Sequence, residues 1–314
     1  MTSRIITVFG ATGAQGGGLA RALLADPACG FTVRAVTRKP DSDAGRALAN
    51  AGAEVVAADL DDAASVQRAM NGAHGAFCVT NFWEHFSPEK ELAQAGAMAD
   101  AAAKAGVQHV IWSTLEDTRT FLAPDGKRMP VLMGKYNVPH FDAKGAANAL
   151  FTSKVPTTLL YTSFYWDNLI HFGMGPKKGP DGVLALTLPM ADKHLSGIAA
   201  EDIGKCACGI FREGEAHVGA SVGIAGEHLT GAQMATELTK ALGQPVRYNA
   251  VTPEQYRGFG FPGAEDLGNM FQFYAEFEEA FMKARPVEVA RRLNPGLQTF
   301  AAFLARNRDR IPLG

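Results

Sequence analysis

The opening of this chain limits its fold more than any other stretch. Five residues suited to a buried strand, Ile5-Ile6-Thr7-Val8-Phe9, run straight into Gly10-Ala11-Thr12-Gly13-Ala14-Gln15-Gly16. A helical segment rich in Ala and Leu follows, with Leu19, Ala20, Ala22, Leu23 and Leu24. Strand, glycine-punctuated turn and helix start are the three parts of a dinucleotide-phosphate cradle. Glycine turns the backbone sharply and lets it approach a pyrophosphate with no Cβ in the way. The next helix aims its N–H groups and the positive end of its dipole at the anion. Glycine-rich turns alone are common; the flanking strand and helix make this one a cofactor loop rather than a simple turn.

The rhythm continues through the first half of the chain. Strand patterns lie at 5–9, 31–37, 53–57, 76–80, 109–113 and 157–161, with helical stretches at 16–25, 43–51, 63–70, 88–105 and 141–153. Repeated β-α units with short apolar strands predict a doubly wound parallel sheet of Rossmann type, covered on both faces. Ligands on such a sheet bind beyond the carboxyl ends of its strands, so the residues to watch are those just after each strand. Segment 118–139 breaks the pattern with Pro124, Gly126, Pro130, Gly134 and Pro139 and reads as a long loop, a functional lid or a surface insertion. Glycines and prolines crowd again from Gly173 to Gly182, before a short strand pair around 184–188 and a return to the main domain near 198–211. Thr230 is a good N-cap for a helix over 231–242, which Gly243 stops. The expected organisation is a dinucleotide-binding domain over 1–170, with 195–225 returning to it. Residues 171–194 and 226–314 form a smaller, mostly helical domain for substrate or partner.

The 314 residues suffice for this plan, and 47% hydrophobic with 20% charged residues is ordinary for a globular chain. A net charge of −2 gives no electrostatic reason to expect nucleic acid or an anionic membrane as partner. The Ala-rich stretch 93–105 is broken by Asp100 and Lys104, as a membrane-spanning helix would not be. Strand-forming residues begin at once, so no signal peptide is expected. The four cysteines are too scattered for a disulfide framework, and Cys206 and Cys208 read as buried thiols rather than metal ligands. No metal is expected, and the chain reads as reduced and cytoplasmic.

NAD-selective sites place an acid at the end of the second strand to accept the adenosine ribose hydroxyls. Here that position holds Thr37, followed by Arg38 and Lys39. A guanidinium fork suits a 2′-phosphate, so NADP(H) is the expected cofactor. Asp59 with Leu60, closing the third strand, is placed to receive the adenine amino group. Thr80 and Asn81, closing the fourth, are placed beside ribose or pyrophosphate.

Taken together, the 10–16 loop, Val36-Thr37-Arg38, Ala58-Asp59-Leu60, Val79-Thr80-Asn81-Phe82-Trp83, His140-Phe141-Asp142-Ala143-Lys144 and Tyr165-Trp166-Asp167-Asn168-Leu169 resemble the NmrA-like family of atypical short-chain dehydrogenases. The likeness extends to Gly260-Phe261-Pro262-Gly263-Ala264 and to Leu267-x-Asn269-Met270-Phe271, nearly the whole chain. It implies an NADP(H)-binding Rossmann domain with a small C-terminal domain, in a family of redox-sensing regulators and of reductases acting on quinones or phenolic compounds. Carried over, the cofactor contacts are Gly10, Thr12, Gly13, Ala14, Gln15, Gly16, Arg38, Asp59, Leu60, Thr80, Asn81, Phe82, Lys144, Tyr165, Trp166, Asp167 and Asn168. The chain departs from the sensors at Ser42, Asp43, Ala93 and Gly96, where they carry further basic residues.

Ordinary short-chain dehydrogenases use Tyr-x-x-x-Lys, in which the ammonium lowers the phenol's pKa one helical turn away. None of the six tyrosines here has a lysine four residues on; the expected helix carries His140-x-x-x-Lys144. Lys144 keeps the residue that would bind nicotinamide ribose. His140 is either a proton donor or a packing residue beside the cofactor. Ser113 and Thr114 either hydrogen-bond a substrate carbonyl or satisfy loop backbone. The sequence therefore points to an NADP(H)-binding regulator with little dehydrogenase activity. The alternative is an NADPH-dependent reductase of a quinone or small carbonyl compound, with Lys144 and His140 handling protons.

Overall fold

The computed structural model describes residues 4–313. Its central sheet has seven strands. The first six are β1 (Arg4–Val8), β2 (Phe31–Thr37), β3 (Glu54–Ala57), β4 (Gly75–Cys78), β5 (His109–Thr114) and β6 (Thr157–Tyr161), all paired in parallel. The spatial order is β6-β5-β4-β1-β2-β3, with strand Ser221–Gly223 beyond β6. Strand order reverses between β1 and β4, which is the switch point where open α/β sheets bind ligands. The linking helices are α1 (Ala14–Leu24), α2 (Asp43–Asn50), α3 (Ala63–Met70), α4 (Pro88–Lys104) and α5 (Pro139–Thr152). Caps begin several of them. Ser42 accepts from the Gly45 N–H at α2, Asp62 from Ala64 at α3, and Ser87 from Lys90 at α4.

Strands β4 and β5 are buried along their whole length, as expected of a sheet covered on both faces. Helix Ala200–Glu213 packs against α1 through glycine. A Cβ at Gly18 would stand 2.4 Å from the Glu201 carbonyl oxygen, and one at Gly204 would stand 2.2 Å from the Leu19 nitrogen. Burial pushes the Cys206 thiol on this helix well above its usual pKa range, and it does the same to Cys78 on β4.

The chain divides into two compact units. One comprises the residues up to Asp117 with His140–Thr162 and Ala200–Val222; the other comprises Thr118–Pro139, Ser163–Ala199 and the chain from Gly223. The second unit carries more strand than its sequence suggests. One three-stranded sheet joins Phe164–Tyr165, His194–Ile198 and Glu227–Thr230; another joins Lys177–Lys178, Leu184–Leu188 and Val246–Ala250. Thr230 and Gln233 make a reciprocal capping box for helix Gly231–Leu242, which ends at Gly243 in the left-handed conformation, as the sequence predicts. From Pro253 to Arg310 the regular structure is helical.

Within this unit the proline- and glycine-rich 118–139 segment is strapped down. Asn269 donates to the Pro130 and Asn137 carbonyls at 2.8 and 2.6 Å, Gln272 donates to that of Arg128, and Asn137 donates to that of Leu122. Both fastening side chains are buried on helix Ala264–Glu276. Among the described residues, no helix is long and apolar enough to cross a membrane.

Candidate functional site

The turn after β1 has the shape its glycines call for. Gly10 lies at φ +63°, where a side chain would be strained, and the Gly13 N–H closes back on the Gly10 carbonyl at 2.8 Å. Gly13 caps α1 without a side chain, and the helix has no acid in its first turn. Gly16 is the tightest position. A Cβ there would stand 2.5 Å from the Gly10 carbonyl oxygen and 2.7 Å from that of Phe9. Thr12, Gly13 and Ala14 are exposed on this loop, and the Thr12 hydroxyl lies 3.5 Å from that of Thr37. Gln15 turns inward and accepts a 2.7 Å hydrogen bond from Ser113 at the end of β5. Ser113 therefore serves the glycine loop. The Thr114 hydroxyl is taken up by the Lys144 carbonyl and Asn148, which fix α5. These residues fit a dinucleotide phosphate: bare backbone, an uncapped helix start and no competing carboxylate.

Around the switch point the other residues follow their strands. Arg38, just past β2, is held in a bidentate ion pair by Glu84, with Nη1 and Nη2 at 3.0 and 2.7 Å from its two oxygens. Asp59 is exposed after β3 and orders the entry to α3, accepting from the Asp61 N–H while its own backbone engages Ser65. Leu60 is half-buried against the hydrophobic core beneath it. Asn81 is exposed after β4, whereas Phe82 is buried.

Beneath Thr80 lies a cluster that sequence reasoning missed. Glu91 on α4 is 0% exposed. One of its oxygens accepts from the Lys144 ammonium at 2.7 Å and from the Thr80 hydroxyl at 2.5 Å. Lys144 also donates to the Thr80 hydroxyl and carbonyl at 2.7 and 3.1 Å, so its ammonium is held by oxygens of Glu91 and Thr80. The second Glu91 oxygen faces His85 Nε2 at 3.5 Å, and neither atom makes a hydrogen bond. His85 Nδ1 accepts from the Ser87 N–H at 3.1 Å, which leaves the ring proton on the nitrogen facing Glu91. No local pattern marks Glu91, since an acid in a charged first helical turn reads as solvated.

His140, one turn before Lys144, is buried among rings. Its centroid lies 4.8 Å from those of Trp83 and Phe141 and 5.9 Å from that of Phe82. Tyr165, Trp166, Asp167 and Asn168 belong to the second unit. There the Trp166 indole is core. It packs on Phe300 and Phe303, and Cβ atoms at Gly197 and Gly226 would come within 2.2 and 2.7 Å of it. Asp167 and Asn168 are half-buried at the start of the short helix Asn168–His171. Among the described residues, no group of three or more His, Cys, Asp or Glu side chains could hold a metal ion.

Comparison with known proteins decides the family. The NmrA-like family profile matches residues 2–304. An NmrA-like family domain-containing oxidoreductase, FrzB of a Cladobotryum species, is 31% identical over 293 residues, covering 86% of this chain and 83% of its own. The chain belongs to the NmrA-like family. Solved structures share the architecture. NmrA, a negative transcriptional regulator crystallised with NADP, aligns over 97% of this chain and 95% of its own, at TM-score 0.76 and 23% identity. The Citrobacter triphenylmethane reductase, complexed with NADP(H), aligns over 97% and 99%, at TM-score 0.74 and 18% identity. The NmrA-like fold therefore hosts both a regulator and a reductase, and the site must say which this chain resembles in action.

Proposed function

We propose that this chain binds NADP(H) through its first unit and acts mainly as a redox-sensing regulator with little dehydrogenase turnover. In this reading, residues 10–16 cradle the pyrophosphate, Arg38 takes the 2′-phosphate, and Asp59, Leu60, Thr80, Asn81 and Phe82 line the remainder of the groove. The solved relatives that hold NADP support the choice of cofactor. Bound NADPH would supply a hydride; proton handling falls to the chain's own groups. The observation that carries the reading is the state of Lys144. Its ammonium is held by Glu91 and Thr80, no tyrosine stands a turn before it, and His140 is buried among aromatic rings. A general acid needs a hydrogen directed at the reacting oxygen, and the Lys144 ammonium is turned to Glu91 and Thr80 with no phenol beside it to share the task.

The second reading, an NADPH-dependent reductase of a quinone or small carbonyl compound, draws support from the relatives named as oxidoreductases. Quinones suit it better, because their reduced oxygen is more acidic and needs less help from an enzyme acid. Calorimetric titration with NADPH, NADP and NADH, followed by NADPH consumption with quinones and aldehydes, separates the two. The regulator predicts binding of NADP(H) with slow consumption throughout. Arg38→Ala should weaken NADPH about tenfold, the loss of one charge-assisted phosphate contact, and leave NADH nearly unchanged. Rapid, saturable consumption that collapses in His140→Ala with unchanged NADPH affinity would overturn the regulator in favour of the reductase.

A further inference from the structure

We propose that Glu84 sets the preference between phosphorylated and unphosphorylated dinucleotides by occupying the seat that Arg38 offers to a 2′-phosphate; this rests on the dinucleotide reading above. The end of β2 lacks the acid typical of NAD-selective sites, yet a carboxylate stands beside it in space. Glu84 arrives from the turn after β4, where residues Phe82–Glu84 form a single 3-10 turn anchored by the buried Phe82 ring. Its N–H bonds the Asn81 carbonyl at 3.2 Å, so its backbone is held in place. Both carboxylate oxygens lie on the two terminal nitrogens of Arg38, at 3.0 and 2.7 Å. Those are the paired donors that a phosphate would claim.

A 2′-phosphate must therefore displace a bidentate partner and then sit beside its negative charge. Unphosphorylated ribose incurs neither cost. The magnitude follows from exposure. The Arg38 and Glu84 side chains are 60% and 46% exposed, so the pair is a weak, screened one and the competition amounts to a few-fold effect rather than a block. Glu84 thus narrows the gap between NADPH and NADH that Arg38 would otherwise open.

Calorimetric titration of wild type, Glu84→Gln, Arg38→Ala and the double variant with NADPH and with NADH tests this. Glu84→Gln keeps the shape of the side chain and removes its charge. The expected result is NADPH binding about threefold tighter, NADH within twofold of wild type, and a gain that shrinks at high salt and in the Arg38→Ala background. Unchanged or weaker NADPH binding in Glu84→Gln would overturn the proposal, because Glu84 would then be aiming Arg38 rather than competing for it. Absence of binding of either dinucleotide by the wild type would overturn the dinucleotide reading and this proposal with it.

Discussion

Single residues carry the chemistry of this site, and Glu91 is the buried acid at its centre. A carboxylate removed from water is tolerated only with a counter-charge and hydrogen bonds, and Lys144 and Thr80 supply both. Glu91→Gln should cost about 3 kcal/mol of folding stability, since it leaves the largely buried ammonium without its partner charge. Adding Lys144→Met should recover more than half of that loss, measured by urea denaturation; equal instability of both variants would mean the pair is not what holds the cluster together. Elsewhere in the sheet, His109 on β5 is buried and donates through Nε2 to the Thr158 hydroxyl, which in turn donates to the His217 carbonyl. Burial, helped by the nearby His217 and His74, lowers its pKa from 6.5 to about 4. The unfolded chain then binds a proton that the folded chain refuses between those values. The stabilisation from neutral His109 is complete above pH 6.5 and is lost as pH falls toward 4, on the order of 3 kcal/mol in all. Denaturation midpoints across that window should slope downward in the wild type and flatten in His109→Gln. Neither residue is legible as buried from its neighbours in sequence, because what buries each is a partner far along the chain.

At the scale of elements, legibility followed locality. Strands β2 and β6 and helix α3 occupy the residues that alternation and periodicity indicate, and the other first-half elements differ by a residue or two at their ends. The strands that escaped notice depend on distant pairing. Gly197 pairs with Phe164, and Leu195 with Leu229, so no run of alternating residues announces either sheet partner. The glycine loop was legible because its constraint is local: strand, turn and helix start are contiguous. Even there, geometry reorders the glycines. A Cβ at Gly13 would stand 3.2 Å from the Gly10 carbonyl oxygen whereas one at Gly16 would stand 2.5 Å from it, so Gly16 is where even one methyl group cannot enter without moving the turn. Gly16→Ala should therefore abolish measurable NADPH binding, whereas Gly13→Ala should weaken it only a few-fold, with far-ultraviolet circular dichroism confirming that both remain folded. The reverse ranking would move the closest backbone approach from the start of α1 to the loop before it.

For the molecule as a whole, binding and folding are linked, which gives a test of function that needs no substrate. A ligand that binds only the folded chain stabilises it by about 2.7 kcal/mol when present at a hundred times its dissociation constant. A regulator must convert cofactor level into a change in its own state, so this linkage is the quantity on which its function would rest. Thermal unfolding followed by calorimetry should show a transition that rises with NADPH concentration, and rises less with NADH at the same concentration because only NADPH brings a phosphate to Arg38. The gap between the two cofactors should close in Arg38→Ala and widen in Glu84→Gln. Because the chain forms two compact units, separable transitions carry further information: the one belonging to the first unit, which holds the glycine loop, Arg38 and the Thr80–Glu91–Lys144 cluster, should move. A shift confined to the other transition would place the dinucleotide away from the carboxyl ends of β1 and β4, and the phosphate cradle assigned to residues 10–16 would have to be abandoned.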